Sequence, residues 1–107
     1  MTDFSGHTVL VTGAAAGIGF GMALAFHAAG ARVALGDVNT SGLGRAAERL
    51  GASDRGFTHA VDVRDASSVE KFVAASEHAL GPVTIAVANA GIFPNCPVLE
   101  MVSGGGT

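Results

Sequence analysis

An α/β fold is predicted by this sequence: a parallel sheet of about four strands in the order 3-2-1-4, with helices on both faces. Three observations lead to the α/β class and its parallel pairing. Short β-branched apolar runs alternate with segments of helical periodicity, and Gly, Asp or Asn marks the junctions. The resulting order βαβαβαβ requires crossover connections, which pair strands in parallel and run right-handed. The composition supplies a core, since 49% of the 107 residues are hydrophobic and only 14% are charged, too apolar for a chain kept disordered by its charge.

Residues 8–11, Thr-Val-Leu-Val, end at Thr12-Gly13 and suit a strand buried on both faces. Ile18, Met22, Ala25, Phe26 and Ala29 then recur at helical spacing, and Gly30 stands where a left-handed C-terminal residue is wanted. Residues 32–36 form a second strand. Leu43, Ala46, Ala47 and Leu50 mark one face of a second helix that stops at Gly51. Residues 57–61 alternate as a third strand, after which Asp65 or Ser67 can cap a helix, Ser67 and Glu70 being spaced as a capping box. Val69, Phe72, Val73, Ala79 and Leu80 are that helix's expected inward stripe, closed by Gly81-Pro82. Residues 83–88 form the fourth strand, and residues 93–97 read as loop. The domain is expected to cover 1–101, followed by a flexible Gly-rich tail at 102–107. Right-handed crossovers put the first two helices on one face and the third on the other, so the second face is thinly covered and self-association is expected.

Six basic against nine acidic residues give a net charge of -3 without a basic run, so no nucleic-acid partner is expected. No apolar run reaches the ~20 residues that cross a bilayer, so no membrane partner is expected either. The single Cys96 cannot form an internal disulfide and the first residues do not resemble a signal peptide; a cytoplasmic setting is the expectation. His7, His27, His59 and His78 are scattered over four elements with no ligand spacing, so no metal site is expected.

Chemistry concentrates in Thr12-Gly13-Ala14-Ala15-Ala16-Gly17-Ile18-Gly19, between the first strand and the first helix. Glycines let a backbone approach a pyrophosphate, and a helix N-terminus offers unpaired N–H groups and a partial positive charge. A purely steric glycine turn would look the same. No Gly-Lys-Ser/Thr follows, which excludes a P-loop NTPase. Asp37, 18 residues past Gly19 at the tip of the second strand, stands where a carboxylate meets a ribose 2′-hydroxyl; it could equally cap the following helix.

These residues resemble the short-chain dehydrogenase/reductase family. Thr12-Gly13-x-x-x-Gly17-Ile18-Gly19 is similar to its cofactor motif and Asn89-Ala90-Gly91 to its second signature, while Leu35–Asn39 and Asp62-Val63 resemble its stretches after strands two and three. The resemblance covers roughly residues 5–101 and implies a Rossmann-type three-layer fold, from which the strand order 3-2-1-4 is taken. By that resemblance Gly13, Gly17 and Gly19 line a pyrophosphate, with Ile18 offering backbone N–H. Asp37 holds the adenosine ribose, Asp62 and Val63 the adenine, and Asn89, Ala90 and Gly91 the neighbouring ribose and strand support.

The implied cofactor is NAD. A 2′-phosphate would bring charge against Asp37 costing about 4 kcal/mol per unit at ~4 Å and an effective dielectric near 20. Ala16 and Val38, where NADP-using relatives often carry a cation, provide none. The family's catalytic tyrosine, the lysine four residues later and the upstream serine have no counterparts: tyrosine is absent, and Lys71 and Ser103 lie in other settings. No catalytic residue is assigned. The resemblance therefore implies the cofactor-binding N-terminal half of an oxidoreductase that moves hydride between NAD and an alcohol or carbonyl substrate, inactive by itself. The alternative is a noncatalytic nucleotide-binding or interaction module acting through a partner chain.

Overall fold

The computed structural model describes residues 3–15, 17–51 and 54–88. In chain order they form β1 (Thr8–Thr12), α1 (Gly17–Ala28), β2 (Arg32–Asp37), α2 (Thr40–Leu50), β3 (Gly56–Ala60), α3 (Ala66–Leu80) and β4 (Ile85–Val87). The strands pair in parallel, as the crossover argument requires, and stand in the order β3-β2-β1-β4. Thr8 lies opposite Arg32, Val9 opposite Ile85, and Asp37 opposite Ala60.

Alternate strand residues face opposite layers. Val9, Val11, Val33 and Leu35 pack with Phe20 and Ala23 of α1 and Leu43 and Ala46 of α2. Leu10 and Ala34, on the other face, pack with Val61, Val63 and the α3 residues Val69, Phe72 and Leu80. All of β1 is buried because both layers cover it. Burying a side chain of this size is worth about 1.5–3 kcal/mol, so the central strands set where the surrounding loops must lie.

Four details differ from the sequence-based expectation. In α1 the buried residues are Gly19, Phe20 and Ala23, whereas Ile18 is 74% exposed and Ala25 is also exposed. Every α1 residue but His27 is apolar or glycine, so there was no polar face to orient the helix. Contact with the sheet chose the side where small Gly19 and Ala23 permit close approach. In α3 the cap is Asp65, whose side chain accepts from the Ser67 backbone N–H; Ser67 lies inside the helix and starts no capping box. Ala79 is exposed and Ser76 takes its place on the buried stripe. The Ser76 hydroxyl donates to the Phe72 carbonyl at 2.7 Å, so burial leaves it satisfied. Finally, β4 is confined to Ile85–Val87, the stretch laddered to Val9–Val11, with the Thr84 N–H and hydroxyl both bonded to the Thr8 carbonyl just before it. Among the described residues, no helix is long and apolar enough to cross a membrane.

Candidate functional site

β1 delivers the chain to the carboxyl edge of the sheet, where Gly13 (φ 65°) turns it and Gly17 (φ 66°) starts α1. Both sit in the left-handed region that a side chain disfavours. The turn is fastened from several directions. The Thr12 hydroxyl reaches the Val87 carbonyl at 3.5 Å, tying β1 to β4. The Ala14 N–H donates to the Gly36 carbonyl at 3.1 Å, and the Ala15 N–H to Asp37 Oδ2 at 3.0 Å.

Asp37 is therefore a clasp between two loops, because its Oδ1 also accepts from the Asn39 N–H at 3.0 Å. It is not the cap of α2. Asn39 takes that role, accepting from the Gly42 N–H at 3.0 Å. A Cβ at Gly42 would lie 2.8 Å from the Ala15 Cβ and 2.7 Å from Asn39 Nδ2, so the first turn of α2 is pressed against the β1–α1 turn and only glycine fits between them.

On the side of this clasp toward β3 opens a cleft of about 490 Å³, lined by Gly13, Asp37, Val38, Val61, Asp62, Val63 and Arg64. The Val61 N–H donates to the Asp37 carbonyl at 3.1 Å, holding the two acidic loops side by side. Asp62 is held at its own N–H by the Ser68 hydroxyl at 2.9 Å. Its carboxylate pairs with Arg64 through Nε at 3.1 Å and NH2 at 3.2 Å, and Oδ1 also accepts the Arg64 backbone N–H at 3.0 Å. The side-chain bonds from Arg64, then that backbone bond, hold the Asp62 carboxyl below its ordinary pKa. The pair is solvent-facing, with side chains 72% and 39% exposed, so it orients the groups more than it stabilises the fold.

The cleft thus gathers Gly13, Asp37, Asp62 and Val63 from three separate stretches of sequence. Gly17, Ile18 and Gly19 open α1, with Gly17 and Ile18 exposed and Gly19 buried. Asn89, Ala90 and Gly91 lie outside the described residues, as does Cys96. Sequence reasoning missed Asn39, Gly42, Ser68 and Arg64. Asn39 had a readable signal, a capping-type residue directly before a helix; Arg64 had none, since its place on the cleft wall depends on where the β3–α3 loop folds. It brings to this cleft a cation that the glycine turn and position 38 do not provide. Among the described residues, no three His, Cys, Asp or Glu side chains are grouped to hold a metal ion.

Residues 7–104 match the family model for short chain dehydrogenases. The sorbitol dehydrogenase of Cereibacter sphaeroides is 36% identical over 96 residues, which are 90% of this chain and 37% of that protein. A short-chain dehydrogenase/reductase of Brucella melitensis, described as a glucose/ribitol dehydrogenase, superposes with a TM-score of 0.81 at 36% identity, over 97% of this chain and 44% of that one. A 3-ketoacyl-(acyl-carrier-protein) reductase from the same organism, solved with NADH, gives a TM-score of 0.72 at 33% identity, over 77% and 33% of the two chains. The chain spans less than half the length of each of these three proteins.

Proposed function

The chain belongs to the short-chain dehydrogenase family of oxidoreductases, and from that premise we propose that its cleft binds the adenosine end of NAD(H). It would serve as the cofactor-binding part of an enzyme that moves hydride between NAD and an alcohol or carbonyl compound. The observation that carries this reading is the placement of Asp37: a carboxylate on the cleft wall, anchored from both neighbouring loops and facing the same space as Gly13 and Asp62.

The residues present fit the group. The positive φ of Gly13 and Gly17 shapes the turn, and a Cβ at Gly17 would meet nothing within 4 Å, so the start of α1 faces open space. Gly13, Gly17, Ile18 and Gly19 would hold the pyrophosphate with backbone N–H groups and the positive end of α1. Asp37 would accept from the adenosine ribose, Asp62 and Val63 would meet the adenine, and Asn89, Ala90 and Gly91 would support the neighbouring ribose. When bound, the nicotinamide supplies or accepts the hydride.

Charge favours NAD over NADP. Asp37 and Asp62 against Arg64 leave the cleft wall one negative charge in excess, and Arg64 is already engaged by Asp62. Even half of the ~4 kcal/mol repulsion between Asp37 and one phosphate charge gives roughly thirtyfold discrimination. The chain contains no tyrosine, so the acid that the family uses must come from elsewhere, and the 107 residues alone are expected to give no turnover. Titration calorimetry with NAD, NADP and AMP tests the reading. NAD and AMP should bind and NADP should bind at least tenfold more weakly than NAD, with Asp37→Ala narrowing that gap; equal affinities for NAD and NADP in the parent chain would overturn the role of Asp37.

A further inference from the structure

Resting on the reading of the cleft as an adenosine site, we propose that Arg64 is a positioning residue that aims the Asp62 carboxylate. The adenine contact already assigned to Asp62 then depends on Arg64, and with it the preference for a purine edge bearing an amino group over one bearing a carbonyl.

A carboxylate offers about four lone-pair directions and, when ionised, only accepts. Oδ1 of Asp62 already takes two donors, the Arg64 backbone N–H and Nε, whereas Oδ2 takes one, the Arg64 NH2. One acceptor direction therefore remains on Oδ2. A guanidinium fork fixes the plane of the carboxylate it grips, which a point charge would not do. The Ser68 hydroxyl fixes the backbone of the same residue from the other side. Asp62 is thus held at main chain and side chain while lining the cleft with Val38, Val63 and Arg64 itself. Asp37, the other acid on the wall, is engaged at both oxygens by the β1–α1 and β2–α2 loops and is not placed by Arg64. An exocyclic amine can donate to the free direction of Oδ2. A carbonyl oxygen in the same place sets lone pair against lone pair. The downward shift of the Asp62 carboxyl agrees with this, because it keeps the group acceptor-only.

The experiment compares NAD with its hypoxanthine analogue, which carries a carbonyl where adenine carries the amine, by titration calorimetry on the parent chain, Arg64→Ala and Arg64→Lys. The parent should prefer NAD by about tenfold, the scale of one hydrogen bond to a charged group. Arg64→Ala should shrink that ratio to threefold or less. Arg64→Lys, which keeps the charge without the fork, should also lose most of the ratio, and restoration by lysine would replace orientation by simple charge and overturn the proposal. Arg64 is largely exposed, so circular dichroism spectra and melts of the variants should match the parent, whereas a merely structural residue would change them and leave the base ratio alone. Binding of NAD with the same base ratio in all three proteins refutes the role of Arg64 and leaves the cofactor reading standing. Failure of the parent to bind NAD at all refutes both.

Discussion

One added methyl group at Gly36 should destabilise this fold, although the same change in an open strand would stabilise it. A Cβ built there lies 2.6 Å from Cε2 and Cζ of Phe72 and 2.7 Å from Cγ1 of Val61. Carbon atoms prefer about 3.5–4.0 Å, so the overlap is near 1 Å. Phe72 is completely buried in the layer with Leu10, Ala34 and Val69, and its ring has no solvent side toward which to swing. Overpacking of this kind costs about 1–3 kcal/mol, against which replacing glycine in a strand returns about 0.5–1 kcal/mol of backbone entropy. The steric term wins. A net loss near 1.5 kcal/mol lowers the thermal midpoint by roughly 6–12 °C in a domain of this size. Thermal and urea melts of Gly36→Ala, Phe72→Leu and the double variant form the assay. Leucine withdraws the ring edge but leaves Cγ1 of Val61 at 2.7 Å, so the penalty of the methyl group should shrink in that background without vanishing. A Gly36→Ala chain as stable as the parent, or a penalty unchanged when Phe72 is leucine, would refute the argument.

Two further outcomes follow from the helices. Asp65→Ala should cost about 1 kcal/mol by removing the cap of α3 and Ser67→Ala almost nothing, a contrast read from urea midpoints. His27, in the last turn of α1, has its pKa lowered by burial and then by the charge of Arg55. Just below pH 6.5 the unfolded chain therefore binds more protons than the folded one, and the stability present above that pH is lost as pH falls through the folded pKa. Melts between pH 7.5 and 5 should show a falling midpoint, with a shallower slope in His27→Gln; equal slopes would remove His27 as the cause.

How much could be read from the chain depended on whether neighbouring residues contrasted. The face of α2 was legible because Leu43, Ala46 and Ala47 stand against Ser41, Arg45, Glu48 and Arg49, so amphipathicity alone orients it. α1, apolar on nearly every side, could be placed but not turned. The same holds at the site. Gly13, Gly17 and Asp37 were visible because a turn with positive φ and a strand-tip carboxylate are local requirements written in residue type and spacing.

Parallel pairing was likewise set by the βαβ alternation, since crossovers run right-handed, whereas the strand order came with the family resemblance, because another doubly wound order obeys the same rule. Long-range partners had no such signature. The contact of Ala15 with Asp37 spans 22 residues, Gly36 is required by a ring 36 positions later, and Arg64 reaches the cleft wall because the β3–α3 loop folds back beside the tip of β2. Periodicity and capping are properties of a few consecutive residues, whereas a clasp, a steric limit or a shared carboxylate exists when packing brings distant segments within hydrogen-bonding or van der Waals range.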